Sequence, residues 1–189
     1  MEYDLFKFIS IVDLMRDNYN HHASRVAEYT VSLARAMGIS NLKEIEAGAH
    51  LHDVGKFLIS KELLNLERKL KPQERDEIEL HSRLGWAIVA QAGYHQIILN
   101  MTLSHHEKWD GSGYPDGLKG QQIPLPVRIL SVCDVYDALT NQRPYRDRYT
   151  YQFAKAYMQG LKGKDFDPEI VDVFFAKVIP DEETGKVDS

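Results

Sequence analysis

The chain has 189 residues, 43% of them hydrophobic and 27% charged, which suits one soluble domain with a sizeable core. Its net charge of −5 excludes a general basic field for long nucleic acid, and its single cysteine, Cys133, excludes an internal disulfide and a thiolate zinc site. No apolar run nears membrane-spanning length, and the acidic and aromatic residues after Met1 do not make a signal peptide, so a cytoplasmic protein is expected.

Apolar spacing predicts helices throughout. Residues 3–18 form a first amphipathic helix. The next, from residue 21, places Ala23, Val26, Ala27, Thr30, Leu33, Ala34 and Met37 on one face and stops at Gly38. A third starts with Asn41 as its cap, carries Leu42, Ile45 and Ala49 as its stripe, and ends at Gly55. Pro72 suits the first turn of a long helix reaching about Ala92. Another ends at His105 and His106, where a loop follows with four glycines between Asp110 and Gly120. Pro126 then opens a helix over residues 127–141, and Thr150 and Asp167-Pro168 read as caps of the last two. Cys133 reads as a small buried hydrophobe within that helix. Residues 1–179 thus read as a single all-α domain, with no strand, repeat or linker, and 180–189 as a polar tail.

The stripes are interrupted by polar residues. His22 lies one turn before Val26, and His52 continues the line of Leu42, Ile45 and Ala49. His81 falls among Ile78, Gly85 and Ile88, while His105 follows Ile98 and Met101. Asp134 stands one turn from both Leu130 and Ala138. Any one of these alone reads as a hydrogen-bonded core residue. An unpaired buried polar group costs about 1–3 kcal/mol, so five separate penalties are hard to accept, whereas one shared divalent centre satisfies all of them. Imidazoles and carboxylates without thiolates suit Fe, Mn, Co, Ni or Zn. Asp53 adds a second carboxylate, and this many donors suit two ions bridged by Asp53. Such a pair clamps the attacking and leaving oxygens of phosphoryl transfer, with a hydroxide between the ions as nucleophile. Lys56, three residues beyond Asp53, reads either as a cation for the developing phosphate charge or as a solvated surface lysine.

These residues lie in strings that resemble a known family. "HLHDVGK", containing His52-Asp53, matches the signature of HD metal-dependent phosphohydrolases. "HHEKWDGSGYP", followed by "RILSVCDVYDALTNQRPYR" and "FDPEIVDVF", is similar to the HD-GYP subfamily of bacterial cyclic di-GMP phosphodiesterases, over residues 18–175. The resemblance implies an HD-type helical bundle with a Gly-rich GYP loop, cleaving cyclic di-GMP to pGpG, with GMP as an optional further product. It implies His22, His52, Asp53, His81, His105 and Asp134 as ligands of two divalent ions, Fe or Mn first. His106 becomes a further ligand where the family holds a third ion, or else a substrate-side residue. Asp53 and Lys56 are the expected catalytic groups, Lys56 on the scissile phosphate. Tyr114, Asp137, Arg143 and Arg146 would line the dinucleotide site, the two arginines as phosphate forks around Pro144-Tyr145. Without the family, the arginine segment reads as a charged helix end. Gly111 and Gly113 allow a tight loop path. Trp109 and Tyr114 offer rings for guanine, although Trp109 reads equally as a loop anchor. The loop is also the family's docking surface for a diguanylate-cyclase partner.

The chain departs from the family pattern after Lys56, where "FLISKELLNLERKL" stands, and at Ser82, where a proline is frequent. Asn18 occupies the position of a glutamate that holds the third ion in some members, so two ions are expected here. The competing readings are a hydrolase of another cyclic dinucleotide, such as cyclic GMP-AMP, or of a nucleoside monophosphate, and a non-catalytic cyclic di-GMP receptor or docking module.

Overall fold

The apolar stripes become buried helix faces in the computed structural model, which describes residues 21–141 and 148–180. The helix expected over 3–18, and with it Asn18, lies outside the described residues, as do Arg143, Arg146 and residues 181–189 of the tail. Helix α1 (His22–Ala36) buries Ala23, Val26, Ala27, Thr30, Leu33 and Ala34, as the spacing predicts. Gly38 ends it with φ 77° and a bond from its N–H to the Arg35 carbonyl.

Helix α2 (Leu42–Leu51) is shorter than expected. Instead of running to Gly55, the chain breaks at His52 and re-forms as a 3₁₀ turn, Val54–Leu58. The reason is contact with the next long helix. A Cβ on Gly55 would lie 1.9 Å from the His81 carbonyl oxygen and 2.5 Å from the Gly85 nitrogen. Only glycine lets the two backbones touch there, and that touch brings the His52-Asp53 pair against His81. Asn41 does stand at the start of α2, but its side chain makes no capping bond.

A short helix α3 (Lys61–Leu64), absent from the sequence reading, is capped by Ser60, whose Oγ accepts the Leu63 N–H at 3.1 Å. Helix α4 (Pro72–Gln91) opens on proline as expected, and α5 (Gln96–Ser104) delivers His105 at its C-terminal end. Helix α6 (Leu125–Thr140) has Pro126 in its first turn. Thr150 and Asp167 cap α7 (Tyr151–Gly160) and α8 (Pro168–Val173) through their side-chain oxygens. The last helix widens into a π turn over Phe174–Val178. The described residues contain no strand, only an isolated bridge between Lys162 and Phe166.

Helix α1 packs on α2 and α6, α5 packs on α2 and α4, and α4 carries the 3₁₀ turn. The main core contains Val26, Leu33, Ile45, Met101, Leu130 and Phe174, and a smaller one contains Leu51, Val54, Val89 and Ile98. Cys133 is fully buried in the main core, the place its neighbours predict. Among the described residues no helix is long and apolar enough to cross a membrane.

Candidate metal centre

Five helix ends and faces bring the polar interruptions together in two groups of potential ligands. His22, His52 and Asp134 form one; Asp53, His81, His105 and His106 form the other. Within each, the donor atoms lie within 4.8 Å of one another. In the first group, His22 Nε2 is 3.2 Å from Asp134 Oδ1, which is 3.9 Å from His52 Nε2. In the second, Asp53 Oδ1 is 3.4 Å from His81 Nε2 and 3.6 Å from His105 Nε2. Asp53 divides its oxygens between the groups, because its Oδ2 lies 3.4 Å from His52 Nε2.

In three of the rings the outer nitrogen is tied to a backbone carbonyl, which decides what the inner one presents. The Nδ1 atoms of His52, His81 and His105 sit 2.6, 2.7 and 3.0 Å from the carbonyl oxygens of Ala49, Ile78 and Thr102. A carbonyl only accepts, so each Nδ1 carries the proton and each Nε2 turns a lone pair inward. The Nε2 atoms of His81 and His105 then face one another at 3.2 Å as two lone pairs. That arrangement is repulsive in itself and favourable around a cation. Two nitrogens each about 2.1 Å from one ion stand roughly 3–3.4 Å apart. His52 Nε2 is buried and makes no hydrogen bond. An inward, aprotic and buried donor set of this kind fits divalent metal ions.

His22 is held differently. Its Nδ1 lies 2.6 Å from Asp137 Oδ2, and the same carboxylate receives Arg25 Nε at 2.6 Å and Asn141 Nδ2 at 2.9 Å. The resemblance places Asp137 on the dinucleotide. The structure buries it at 1% exposure behind His22, with both oxygens committed to protein partners, the arrangement of a residue that fixes the ring it touches. Arg25, which no apolar stripe or motif marks, completes this support.

The electrostatics divide along the same line. Burial opposes protonation of His22, yet its bonds to Asp134 and Asp137 outweigh it and raise the pKa to about 9. Burial lowers His81 to about 4, with His105 and Lys56 adding to the effect. Burial likewise lowers His105 and His106. Burial alone would raise Asp53, but the Lys56 ammonium beside it holds it well below the usual carboxylate range. Neutral imidazoles at His81, His105 and His106 beside the ionised Asp53 are the protonation states that metal ligation requires, whereas His22 would have to give up a proton to an ion. Lys56 is not a free surface lysine, since its Nζ lies 2.7 Å from Asp53 Oδ2 and its side chain is 29% exposed.

The Gly-rich loop folds back onto this centre. Tyr114 stacks on His106 with ring centroids 4.7 Å apart and planes at 25°. Gly111 has φ 85°, and a Cβ on Gly113 would fall 2.5 Å from the His106 carbonyl oxygen, so both glycines are needed for the tight path. Trp109 is half-buried. Its backbone bonds Asp165 and Gly120, and Arg128 lies over its ring at 5.7 Å. Glu107, also passed over, is 3% exposed and accepts the N–H groups of Asp116 and Leu118 at 2.8 and 3.0 Å. A carboxylate directly after a histidine pair, before a turn-rich loop, is the signal that could have found it.

Comparison with known proteins agrees with these strings and this geometry. The HD domain family matches residues 8–170. The chain is 40% identical over 152 residues to the cyclic di-GMP phosphodiesterase response regulator of Xanthomonas campestris pv. campestris, covering 78% of this chain and 40% of that protein. It is 36% identical over 156 residues to a 3'3'-cGAMP-specific phosphodiesterase of Vibrio cholerae, covering 80% of this chain and 30% of that protein. The chain therefore spans well under half the length of these relatives. Among solved structures, the HDG"Y"P protein of Bdellovibrio bacteriovorus superposes with a TM-score of 0.67 at 20% identity, over 82% of this chain and 51% of that one, a likeness of fold.

Proposed function

Because this chain belongs to the HD domain family, in its HD-GYP branch, we propose that it hydrolyses cyclic di-GMP to the linear dinucleotide pGpG. The observation that carries this reading is the pair of ligand groups sharing Asp53, with the Gly-rich loop closed over one of them. His22, His52 and Asp134 would hold one divalent ion, and His81, His105 and His106 a second, with Asp53 between them. Fe or Mn suits these donors first, then Zn, Ni or Co. When bound, the ions supply Lewis-acid polarisation of the phosphate and activation of water.

The protein's own groups do the rest. Lys56 keeps Asp53 ionised and sets a cation beside the place where phosphate charge develops. Arg143 and Arg146 would grip the phosphates as planar forks. Tyr114, resting on His106, puts an aromatic ring beside the reacting centre where a guanine would lie. Two ions are expected, because Asn18 offers no charge for a third.

Turnover of cyclic di-GMP by the Mn(II)-loaded protein, followed by chromatography with metal content measured in parallel, tests the reading. pGpG should accumulate, and Arg143→Ala should weaken dinucleotide affinity by about 1.5–3 kcal/mol, the scale of a charged hydrogen bond. Faster turnover of cyclic GMP-AMP would transfer the assignment to that substrate, which the Vibrio cholerae relative makes the alternative. Tight binding without turnover would make the chain a receptor.

A further inference from the structure

One histidine of the two groups lacks the restraint that holds the others. His52, His81 and His105 are fixed by backbone carbonyls, and His22 by Asp137. Among the described residues, the ring of His106 makes no hydrogen bond. Its orientation is set by the rings packed on it, Tyr114 at 4.7 Å and 25° and His105 at 4.1 Å and 44°. Tyr114 belongs to the loop, so whatever fixes the loop also fixes His106.

Glu107 is placed to do this. It follows His106 directly, is buried, and spends one carboxylate oxygen on the Asp116 N–H and the other on the Leu118 N–H. The segment from Tyr114 to Leu118 is thereby tied to the residue beside the ligand. Arg83, on the helix that carries His81, adds an exposed clasp to Asp116 Oδ1 at 2.7 Å and to the Pro115 carbonyl at 3.3 Å. The Tyr114 N–H returns to the His106 carbonyl at 3.3 Å. Glu107 is buried while the Arg83–Asp116 pair is exposed and screened by water, so Glu107 is the stronger of the two ties.

We propose that Glu107 is a positioning residue that couples closure of the Gly-rich loop to metal binding by the second group: it holds Tyr114 against His106, and Tyr114 holds the His106 ring toward Asp53, His81 and His105. The inference rests on the metal reading above and not on the identity of the substrate. It makes the loop part of the metal site as well as a wall of the substrate site.

Mn(II) binding isotherms on the metal-free protein, with no substrate present, test it. The wild type should show two sites. Glu107→Ala should weaken one of them by about 10–100-fold, the usual effect of losing the support of a ligand, and leave the other unchanged. Glu107→Gln, which keeps an acceptor for one N–H, should fall between. Since Glu107→Ala could unfold the loop more widely, Tyr114 gives a second pair: Tyr114→Phe keeps the ring and should bind as the wild type does, while Tyr114→Ala should weaken the same single site. Unchanged affinity at both sites in Tyr114→Ala, or equal weakening of both in Glu107→Ala, would overturn the proposal. A wild type that binds two ions with these responses but cleaves no cyclic dinucleotide would leave the coupling standing and remove the enzymatic reading instead. A wild type with no Mn(II) site removes both.

Discussion

The two ligand groups meet at Asp53 but are built from different kinds of structure. His22, His52 and Asp134 stand on or at the ends of helices, and His22 is backed by a buried carboxylate that Arg25 and Asn141 hold in turn. The second group ends in a loop, and the orientation of His106 is left to ring packing. Charge follows the same division. Two carboxylates raise His22 to about 9, while burial takes His81 to about 4 and lowers His105 and His106. The first group is therefore anion-rich and fixed by its helices, as a preformed cation site would be. The second is nearly neutral apart from the shared Asp53, so it depends more on that bridge and on the loop.

The most severe way to break the comparison is to remove what the groups share. Asp53→Ala should empty the second site, weaken the first, and reduce hydrolysis to background. Metal analysis by mass spectrometry, alongside turnover, checks this. Retention of both ions in the variant would end the idea of a common bridge. Next in size is Lys56→Met, which removes a cation without removing a ligand. Hydrolysis should fall by about 10²–10³-fold, the scale for a donor to developing charge, with both ions kept. If the ions are lost as well, then the task of Lys56 is to hold Asp53 through their 2.7 Å pair.

These contrasts show what the sequence could and could not reveal. Polar residues on apolar stripes were legible, because burial and helical periodicity are local: His22, His52, His81, His105 and Asp134 all come together as their helix faces require. The break of α2 at His52 was not legible, because it depends on the approach of Gly55 to a helix some thirty residues on, a contact no local pattern encodes. Asp137 lies one turn after Asp134 and so shares its side of α6, yet nothing in that spacing says which flank of His22 it meets. Glu107 was hidden for a similar reason. Its partners are backbone N–H groups nine and eleven residues away in a loop of irregular path.

Asp137→Asn would sharpen the comparison from the other side. The amide keeps the shape but not the charge behind His22, so affinity at the first site should drop about tenfold, the lower end for support of a metal-bound imidazole. The second site should not change. Calorimetric Mn(II) titration distinguishes the two, and equal losses at both would mean that the groups are not independently supported.

The smallest expected effect separates the two ties on the loop. Arg83 is 56% exposed and its partner Asp116 39%, so their ion pair is screened by water and salt. Arg83→Ala should cost about 0.2–1 kcal/mol in denaturant unfolding, the range for exposed pairs, and less in high salt. Glu107→Ala instead strands two N–H donors beneath the loop and should cost more than about 2 kcal/mol, because each unsatisfied buried donor carries about 1–3 kcal/mol. Affinity for the second ion should change less than about threefold in Arg83→Ala, well short of the loss expected from the buried tie. If instead Arg83→Ala matched Glu107→Ala in both stability and metal affinity, the exposed clasp to the helix carrying His81 would be what closes the loop. The contrast between a helix-built and a loop-built half would then have to be drawn at α4 rather than at Glu107.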